Sequence, residues 1–246
     1  MRIRMGKLYI VGFGPGNADN MTELCRRCLH DCDVIVGYTG YTDLLRPLFP
    51  DKQFYETGMT LEIDRCRAAI ELARDGKTVC VASGGDSGVY GMASLIFEIA
   101  AETPEIDIEV IPGVTAAVSG AALLGAPISN DFAVISLSDL LTPWETIEKR
   151  LRAAAAGDFS ICIYNAGSKK RSGHLRDACD ILLETLPYDR LCGVTRSIGR
   201  DGQFLSLMTL GELRETRADM TETVFIGNSH TRNIGGRMVT SRGYLE

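Results

Sequence analysis

The sequence lacks any run of the roughly 18 to 20 consecutive apolar residues that a membrane-spanning helix requires. Its most apolar segment, residues 114–128, is interrupted by polar residues, glycines and a proline. The apolar run near the start, Leu8 to Val11, is too short for the core of a signal peptide. We therefore expect a protein that works in the cytoplasm without a membrane partner.

Positive charge is also scarce, with 26 lysines and arginines against 32 acidic residues and a formal net charge of −6. Proteins that bind nucleic acid usually carry the opposite sign, so the composition disfavours that class. The 246 residues, 45% hydrophobic and 24% charged, fit a globular chain of one large domain or two small ones.

The eight cysteines are best interpreted as reduced thiols, because no secretory signal accompanies them. Cys25, Cys28 and Cys32 have spacings that superficially match a metal or iron–sulfur motif. They also fall on one apolar stripe of a predicted helix, and free cysteine behaves as a small hydrophobic residue. We predict that they pack in the core, and we assign no metal ligands.

Short β-branched runs alternate with amphipathic segments along the first half, which predicts an α/β fold with a mostly parallel sheet. A break at Pro112 and Gly113 indicates a boundary between two α/β domains, residues 1–113 and 114–246. In the second half, Gly199 to Gly202 predict a hairpin, so that sheet should be mixed. The predicted strands are 8–11, 34–36, 78–82, 106–111, 132–137, 159–164, 191–196, 204–208 and 223–226. The predicted helices are 22–32, 61–74, 90–102, 115–124, 143–156 and 169–186.

A glycine-rich loop, residues 12–16, follows the first predicted strand and suggests a dinucleotide site. Three features oppose that interpretation. Asn17 replaces the third glycine of the fingerprint, Pro15 removes an N–H donor from the turn, and no acidic residue closes the second strand. An NAD-dependent enzyme is therefore a disfavoured alternative.

A second glycine-rich loop, residues 83–91, follows the third predicted strand, at the edge where open α/β sheets bind ligands. Gly84 and Gly85 allow close approach to the backbone, and Asp86 adds an anionic acceptor. Asp86 or Ser87 as a simple helix N-cap explains the same residues equally well.

Five segments together resemble the tetrapyrrole methylase superfamily. They are GFGPGN at 12–17, GGDSGVYGMA at 84–93, PGVTAAVSGAALLGAP at 112–127, SLSDLLTPW at 136–144 and YNAGSKKR at 164–171. The last two favour the subfamily that methylates C17 of precorrin-3B, or of its cobalt form, and contracts the macrocycle in cobalamin biosynthesis. The resemblance extends from about Lys7 to Arg232.

The resemblance implies a homodimer of two-domain subunits that bind S-adenosylmethionine, folded, at the domain interface. It implies that the first glycine-rich loop faces the anionic tetrapyrrole and does not bind phosphate. The implied donor-binding residues are Gly84, Gly85, Asp86, Val89, Thr115, Ala116, Tyr164, Asn165, Gly193, Val194, Asn228 and Thr231. The implied substrate-binding residues are Gly12, Gly14, Pro15 and Gly16, and we add the basic residues Lys169, Lys170 and Arg171.

Two positions depart from the subfamily pattern. Asn130 stands where we expect histidine, and Gly167 stands where we expect an arginine after Tyr164 and Asn165. The first change removes a histidine and, with it, an acid–base role at position 130. The second removes one candidate cation for binding a carboxylate.

Methyl transfer is an in-line displacement, so positioning matters more than a nucleophilic side chain. Asp139 follows a predicted strand and is our candidate for moving a proton during ring contraction, although capping of the next turn explains it equally well. A solvated surface explains the basic cluster about equally well. His174 and His230 are candidate proton carriers or cobalt contacts, but isolated histidines are more often structural.

The alternatives within the superfamily include uroporphyrinogen III methyltransferase and diphthine synthase, and SLSDLLTPW and SKKR argue against both. A ligand carrier or an NAD-dependent oxidoreductase is the alternative of a different class. The sequence does not separate a metal-free substrate from a cobalt-bearing one. Any redox partner that the reaction needs is expected to be a separate protein.

Overall fold

The computed structural model describes residues 6–168 and 172–245. The chain divides into two compact units, of which the first ends at Thr115 and the second begins at Ala116. In the described part of the chain, each helix is too short or too polar to cross a membrane.

The first unit is a parallel five-stranded sheet with order β3-β2-β4-β1-β5. Each strand is separated from the next along the chain by at least one helix, as parallel pairing requires. The strands are β1 (Lys7–Gly12), β2 (Val34–Tyr38), β3 (Gln53–Thr57), β4 (Val79–Ser83) and β5 (Asp107–Ile111). The helices are α1 (Glu23–Asp31), α2 (Thr39–Leu45), α3 (Glu62–Arg74) and α4 (Ala93–Ala100), with a 3-10 turn at Ala18–Asn20.

The second unit contains a mixed five-stranded sheet, order β10-β9-β11-β8-β7, in which only β7 and β8 pair in parallel. A three-stranded sheet, order β12-β13-β6, accompanies it. The strands are β6 (Gly125–Ala126), β7 (Phe132–Ser136), β8 (Ser160–Tyr164), β9 (Leu191–Arg196), β10 (Phe204–Thr209), β11 (Glu222–Ile226), β12 (Thr231–Ile234) and β13 (Arg237–Thr240). The helices are α5 (Ala116–Leu124), α6 (Trp144–Ala156), α7 (His174–Leu183) and α8 (Leu210–Arg214).

The α/β class, the parallel first sheet and the mixed second sheet are confirmed, including the antiparallel hairpin of β9 and β10. Two helix predictions were too long. The helix predicted at 90–102 begins at Ala93, because residues 84–92 form a long loop of turns and bends. The helix predicted at 169–186 ends at Leu183. The predictions missed α2, β3, β6, α8, β12 and β13.

The cysteines confirm the predicted core packing. Cys25, Cys28 and Cys32 lie on the buried face of α1 and at its C-cap, where they contact the first sheet. All eight cysteines are free and buried. Burial raises the pKa of the Cys25 thiol to about 12, because a thiolate would be poorly solvated there. A neutral thiol packs in such a site as a small apolar group.

Candidate functional site

Three loops meet at the carboxyl edge of the first sheet, after the neighbouring strands β1, β4 and β5. Gly14 and Gly85 exchange two backbone hydrogen bonds, from Gly14 N to Gly85 O at 3.0 Å and from Gly85 N to Gly14 O at 2.8 Å. Phe13 N also donates to Ser83 O at 3.0 Å. The two predicted glycine-rich loops are therefore hydrogen-bonded to each other, and both the N–H and the carbonyl group of Gly85 take part in these bonds.

Asp86 fixes the third loop to the other two. Its Oδ2 accepts the backbone N–H of Gly113 at 2.9 Å, and its Oδ1 accepts that of Gly88 at 2.8 Å. Val89 N donates to the backbone oxygen of Asp86 at 3.2 Å, which closes the turn. The first residue of α4 is Ala93 and its N-cap is Met92, so the N-cap interpretation of Asp86 and Ser87 was wrong.

Within the described residues, the charge of Asp86 faces backbone N–H groups and no basic side chain. In residues 6–168 and 172–245, no lysine, arginine or histidine forms an ion pair with it. The carboxylate is partly exposed and each oxygen keeps a further acceptor position beyond its backbone bond. A cationic ligand, such as a sulfonium with an ammonium group, would fit this arrangement.

Close backbone contact explains two of the glycines here. A Cβ at Gly12 would lie 2.7 Å from Gly85 O and 2.8 Å from Gly113 N, and a Cβ at Gly113 would overlap the carbonyl oxygens of Gly85 and Gly12. These glycines are needed for the loops to touch one another.

The first glycine-rich loop is mostly covered by its neighbours. Gly12, Gly14 and Pro15 are buried, Gly16 is half-buried, and the Phe13 ring inserts fully into the core. The Phe13 ring meets Tyr41 edge to face, with centroids 5.5 Å apart. The loop is thus firmly held in the first unit.

In the second unit, the ends of the parallel strands β7 and β8 carry a second polar group. The Tyr164 hydroxyl accepts the backbone N–H of Ala117 at 2.7 Å, which ties β8 to the first turn of α5. Asn165, in the left-handed conformation with φ of 54°, donates from Nδ2 to Ser136 Oγ at 2.9 Å. Leu137 N donates to Tyr164 O at 2.9 Å. Two predicted donor-binding residues and the SLSD segment are therefore adjacent.

Asp139 faces His174 at this edge. His174 Nε2 lies 3.6 Å from Asp139 Oδ2, and His174 Nδ1 lies 3.0 Å from the Leu137 carbonyl oxygen. The Trp144 and His174 ring centroids are 4.7 Å apart with the planes tilted by 38°. The N-cap of α6 is Pro143, four residues after Asp139, so Asp139 does not cap that helix.

The remaining donor candidates of the second unit lie elsewhere. Gly193 and Val194 are inside β9, and a Cβ at Gly193 would meet Leu124 at 2.7 Å, so this glycine makes room for α5. Asn228 and Thr231 are buried and bonded to each other: Asn228 N donates to Thr231 Oγ1 at 2.9 Å.

Thr115 and Ala116 stand at the division between the units, Ala116 as the first residue of α5. Lys169, Lys170 and Arg171 lie outside the described residues. Of the two departures from the subfamily pattern, Asn130 donates to Ser241 O at 3.4 Å, and a Cβ at Gly167 would overlap Ala218 O. The glycine at 167 is thus required by the close approach of the 218 backbone.

Sequence reasoning missed the contributions of Ser136, Trp144 and Ala117, and treated His174 as an isolated histidine. Ser136 and Trp144 are the first and last residues of the SLSDLLTPW segment, and that motif could have identified them. His174 is 35 residues from Asp139, and no local pattern joins two residues so far apart.

The chain is similar to known proteins over most of its length. The model of the family "Tetrapyrrole (Corrin/Porphyrin) Methylases" matches residues 7–214. A probable cobalt-factor III C(17)-methyltransferase of Salmonella typhimurium is 45% identical, over 96% of this chain and 99% of the relative. A precorrin-3B C(17)-methyltransferase of a Sinorhizobium species is 40% identical, over 93% of this chain and 91% of the relative. A crystal structure of the methyltransferase CobJ is 37% identical with a TM-score of 0.89, over 96% of this chain and 100% of that one.

Proposed function

The chain belongs to the tetrapyrrole (corrin/porphyrin) methylase family, and from this we propose that it methylates C17 of precorrin-3B or its cobalt form during cobalamin biosynthesis. The methyl donor is S-adenosylmethionine, and the reaction includes contraction of the macrocycle. The observation that carries the proposal is the carboxylate of Asp86, which has no basic partner among the described residues and is fixed at the junction of three loops.

S-adenosylmethionine supplies a methyl group on a positively charged sulfur. We assign its binding in the first unit to Gly84, Gly85, Asp86, Val89 and Thr115. In the second unit we assign it to Ala116, Tyr164 and Asn165, with the buried Gly193, Val194, Asn228 and Thr231 supporting the fold around them. Asp86 attracts the cationic donor, and the bonded loops limit its motion.

The contribution of these residues to rate is positional. Displacement at the methyl carbon requires sulfur, methyl and the attacking carbon in line, and loops held by backbone hydrogen bonds keep that geometry at low entropic cost. A donor held in one pose therefore reacts faster than one that tumbles in the site.

The acceptor is an anionic tetrapyrrole. We assign its binding to the first glycine-rich loop, Gly12, Gly14, Pro15 and Gly16, and to the cations Lys169, Lys170 and Arg171, since carboxylates need positive partners on a protein of net charge −6. Relatives named for the cobalt-bearing and for the metal-free substrate resemble the chain to similar degrees, so both substrates belong in the assay.

We further propose that the protein is a homodimer in the cytoplasm and that any redox step uses a separate partner. The residues 1–113 and 114–246 are proposed as its two functional domains. Eight free thiols support a reducing compartment. Sedimentation of the purified protein tests the dimer directly.

The test of the donor site is calorimetric titration with S-adenosylhomocysteine, with NAD as the control ligand, for the wild-type protein and Asp86→Asn. The substitution keeps one oxygen acceptor but removes the charge, so we expect binding of S-adenosylhomocysteine to weaken by about tenfold or more. NAD should bind to neither protein.

Methyl transfer is then measured with labelled S-adenosylmethionine and each of the two substrates in turn. Incorporation of label at C17 of either one supports the proposal and selects the substrate. Binding of NAD, or failure to label both substrates, would overturn it.

A further inference from the structure

Asp139 and His174 form a pair in which two neighbouring groups fix the orientation of the imidazole. The Leu137 carbonyl oxygen lies 3.0 Å from His174 Nδ1, and the Trp144 ring stacks against the imidazole. Nε2 then points at Asp139 Oδ2, 3.6 Å away. An imidazole held by a carbonyl on one nitrogen and an aromatic ring on its face has little freedom to rotate.

The hydrogen positions follow from the partners. A carbonyl oxygen only accepts hydrogen bonds, so Nδ1 of His174 carries the hydrogen and Nε2 is left to face the carboxylate. Nε2 and Asp139 Oδ2 are 3.6 Å apart, which is longer than a hydrogen bond, so the imidazole lies beside the carboxylate without a bond to it.

The pair is open to ligand on the Asp139 side. The His174 side chain is 19% exposed, whereas that of Asp139 is 41% exposed. In the part of the chain that the structure describes, Asp139 Oδ1 has no protein partner. The carboxylate can therefore reach a ligand while the histidine stays behind it.

The surroundings suit a large, flat and partly apolar acceptor. Leu140 and Leu141, which follow Asp139, are 71% and 93% exposed. Leu137 is bonded through its N–H to Tyr164 O, and Asn165 is bonded to Ser136. The pair thus stands beside an exposed apolar segment and within the same cluster as the proposed donor residues of this unit.

We propose that Asp139 is the proton acceptor of the methyl-transfer step and that His174 is its positioning residue. The inference rests on the proposed function. It adds a role for His174 and a defined oxygen, Oδ1, for the transferred proton.

The methyl-transfer step balances as follows. The macrocycle supplies the electron pair of the new carbon–carbon bond, the sulfur–methyl bond breaks, and its electrons remain on sulfur, which becomes neutral. The macrocycle, having gained a methyl cation, loses one proton from an O–H or N–H group to Asp139 Oδ1. His174 limits the motion of the carboxylate before the transfer, and the exposed Asp139 returns the proton to solvent afterwards.

The experiment compares wild type with Asp139→Asn and His174→Asn, and uses Asp177→Asn as the matched control. Asp177 is an exposed carboxylate in the first turn of the same helix, so its change removes equal charge without touching the pair. The amide of His174→Asn can still donate to Leu137 O, which protects the fold. For each protein we measure kcat, the KM for both substrates, and the Kd for S-adenosylhomocysteine.

We expect Asp139→Asn to lower kcat by about 100-fold or more and His174→Asn by about tenfold, with the Kd for S-adenosylhomocysteine unchanged in both. The double variant should be no slower than Asp139→Asn, because His174 acts through the carboxylate. Added formate should restore part of the kcat of Asp139→Ala, a response that a purely structural role would not give.

If both single variants turn over as fast as the wild type, the proposed roles of Asp139 and His174 are wrong, whereas the proposed function stands. A drop in kcat that is multiplied in the double variant would overturn the positioning role of His174. A wild-type protein that is inert on both substrates would overturn the pair together with the proposed function.

Discussion

Gly113 is a single residue on which the junction of three loops depends. Its N–H bonds to Asp86, and its missing side chain lets the carbonyl groups of Gly12 and Gly85 approach. We predict that Gly113→Ala lowers the free energy of unfolding by about 3 kcal/mol and weakens S-adenosylhomocysteine binding, because the overlapping backbone segments must separate. Urea denaturation and calorimetry measure the two effects.

Gly58→Ala is the control for this change. Gly58 is exposed, and a Cβ there would have no neighbour within 4 Å, so the free energy of unfolding should change by only about 0.5 kcal/mol. Equal effects of the two substitutions would contradict the role assigned to the junction.

For single residues, the sequence predicted chemical character well but did not predict which residues contact one another. Asp86 and Asp139 were selected for their charge and their place after strands, and both lie at strand ends in the structure. Their partners, Gly113 and His174, are 27 and 35 residues away in sequence. Only the parallel arrangement of neighbouring strands brings such residues together, and the N-cap interpretation of Asp86 failed because α4 begins several residues later.

The helix α8 shows how one short element supports the site. Arg214 on α8 pairs with Asp180 on α7, and Arg176 on α7 lies 3.1 Å from Glu215, just after α8. α7 begins with His174. Through these ion pairs α8 stabilises α7, the helix that carries the histidine of the Asp139–His174 pair.

A capping box holds the start of α8. The Thr209 hydroxyl accepts the Glu212 N–H at 3.2 Å, and the Glu212 carboxylate accepts the Thr209 N–H at 2.8 Å. These bonds lower the pKa of Glu212. We predict that Thr209→Ala lowers the free energy of unfolding by about 1 kcal/mol, measured by urea denaturation.

Thr209→Ser keeps the hydroxyl and should retain nearly all of the stability. The same loss in both variants would show that the methyl group of Thr209, and not its cap, is what matters.

Elements with strong periodicity were predicted well and the others were not. The pattern of β9 and β10 with a glycine-containing turn was sufficient for an antiparallel hairpin. β3 was missed because it is an edge strand with mostly exposed or half-buried residues, so it lacks a buried run. β12 and β13 join at Gly235 and Gly236, whose positive φ angles of 58° and 80° fit a tight hairpin turn that the glycine pair could have signalled.

At the scale of the whole molecule, the buried thiols connect stability to pH. Burial raises the pKa of Cys25 and Cys179 to about 12 and that of Cys66 to about 11. An unfolded thiol ionises near pH 8.5 or so, about where cysteine titrates in water. Between that pH and the folded pKa, only the unfolded chain loses these protons, so stability is complete below the interval and falls as the pH rises through it.

We therefore predict that the free energy of unfolding decreases above about pH 9, by about 1.4 kcal/mol per pH unit for each such thiol. Urea midpoints at a series of alkaline pH values measure the slope. Cys66→Ala removes one of these thiols and should make the slope less steep by the contribution of one thiol. A free energy of unfolding that stays constant up to pH 11 or so would contradict a role for the thiols.

The position of β1 at the inside of its sheet has a consequence for biosynthesis. Leu8 pairs with Val79 on one side and with Ile108 on the other. A ribosome delivers residue 8 before either neighbour, so β1 has unpaired edges and exposed apolar side chains until β4 and β5 have been translated. The growing chain should therefore recruit chaperones, and messages truncated before the codon for Ile108 should yield aggregates rather than a folded first unit.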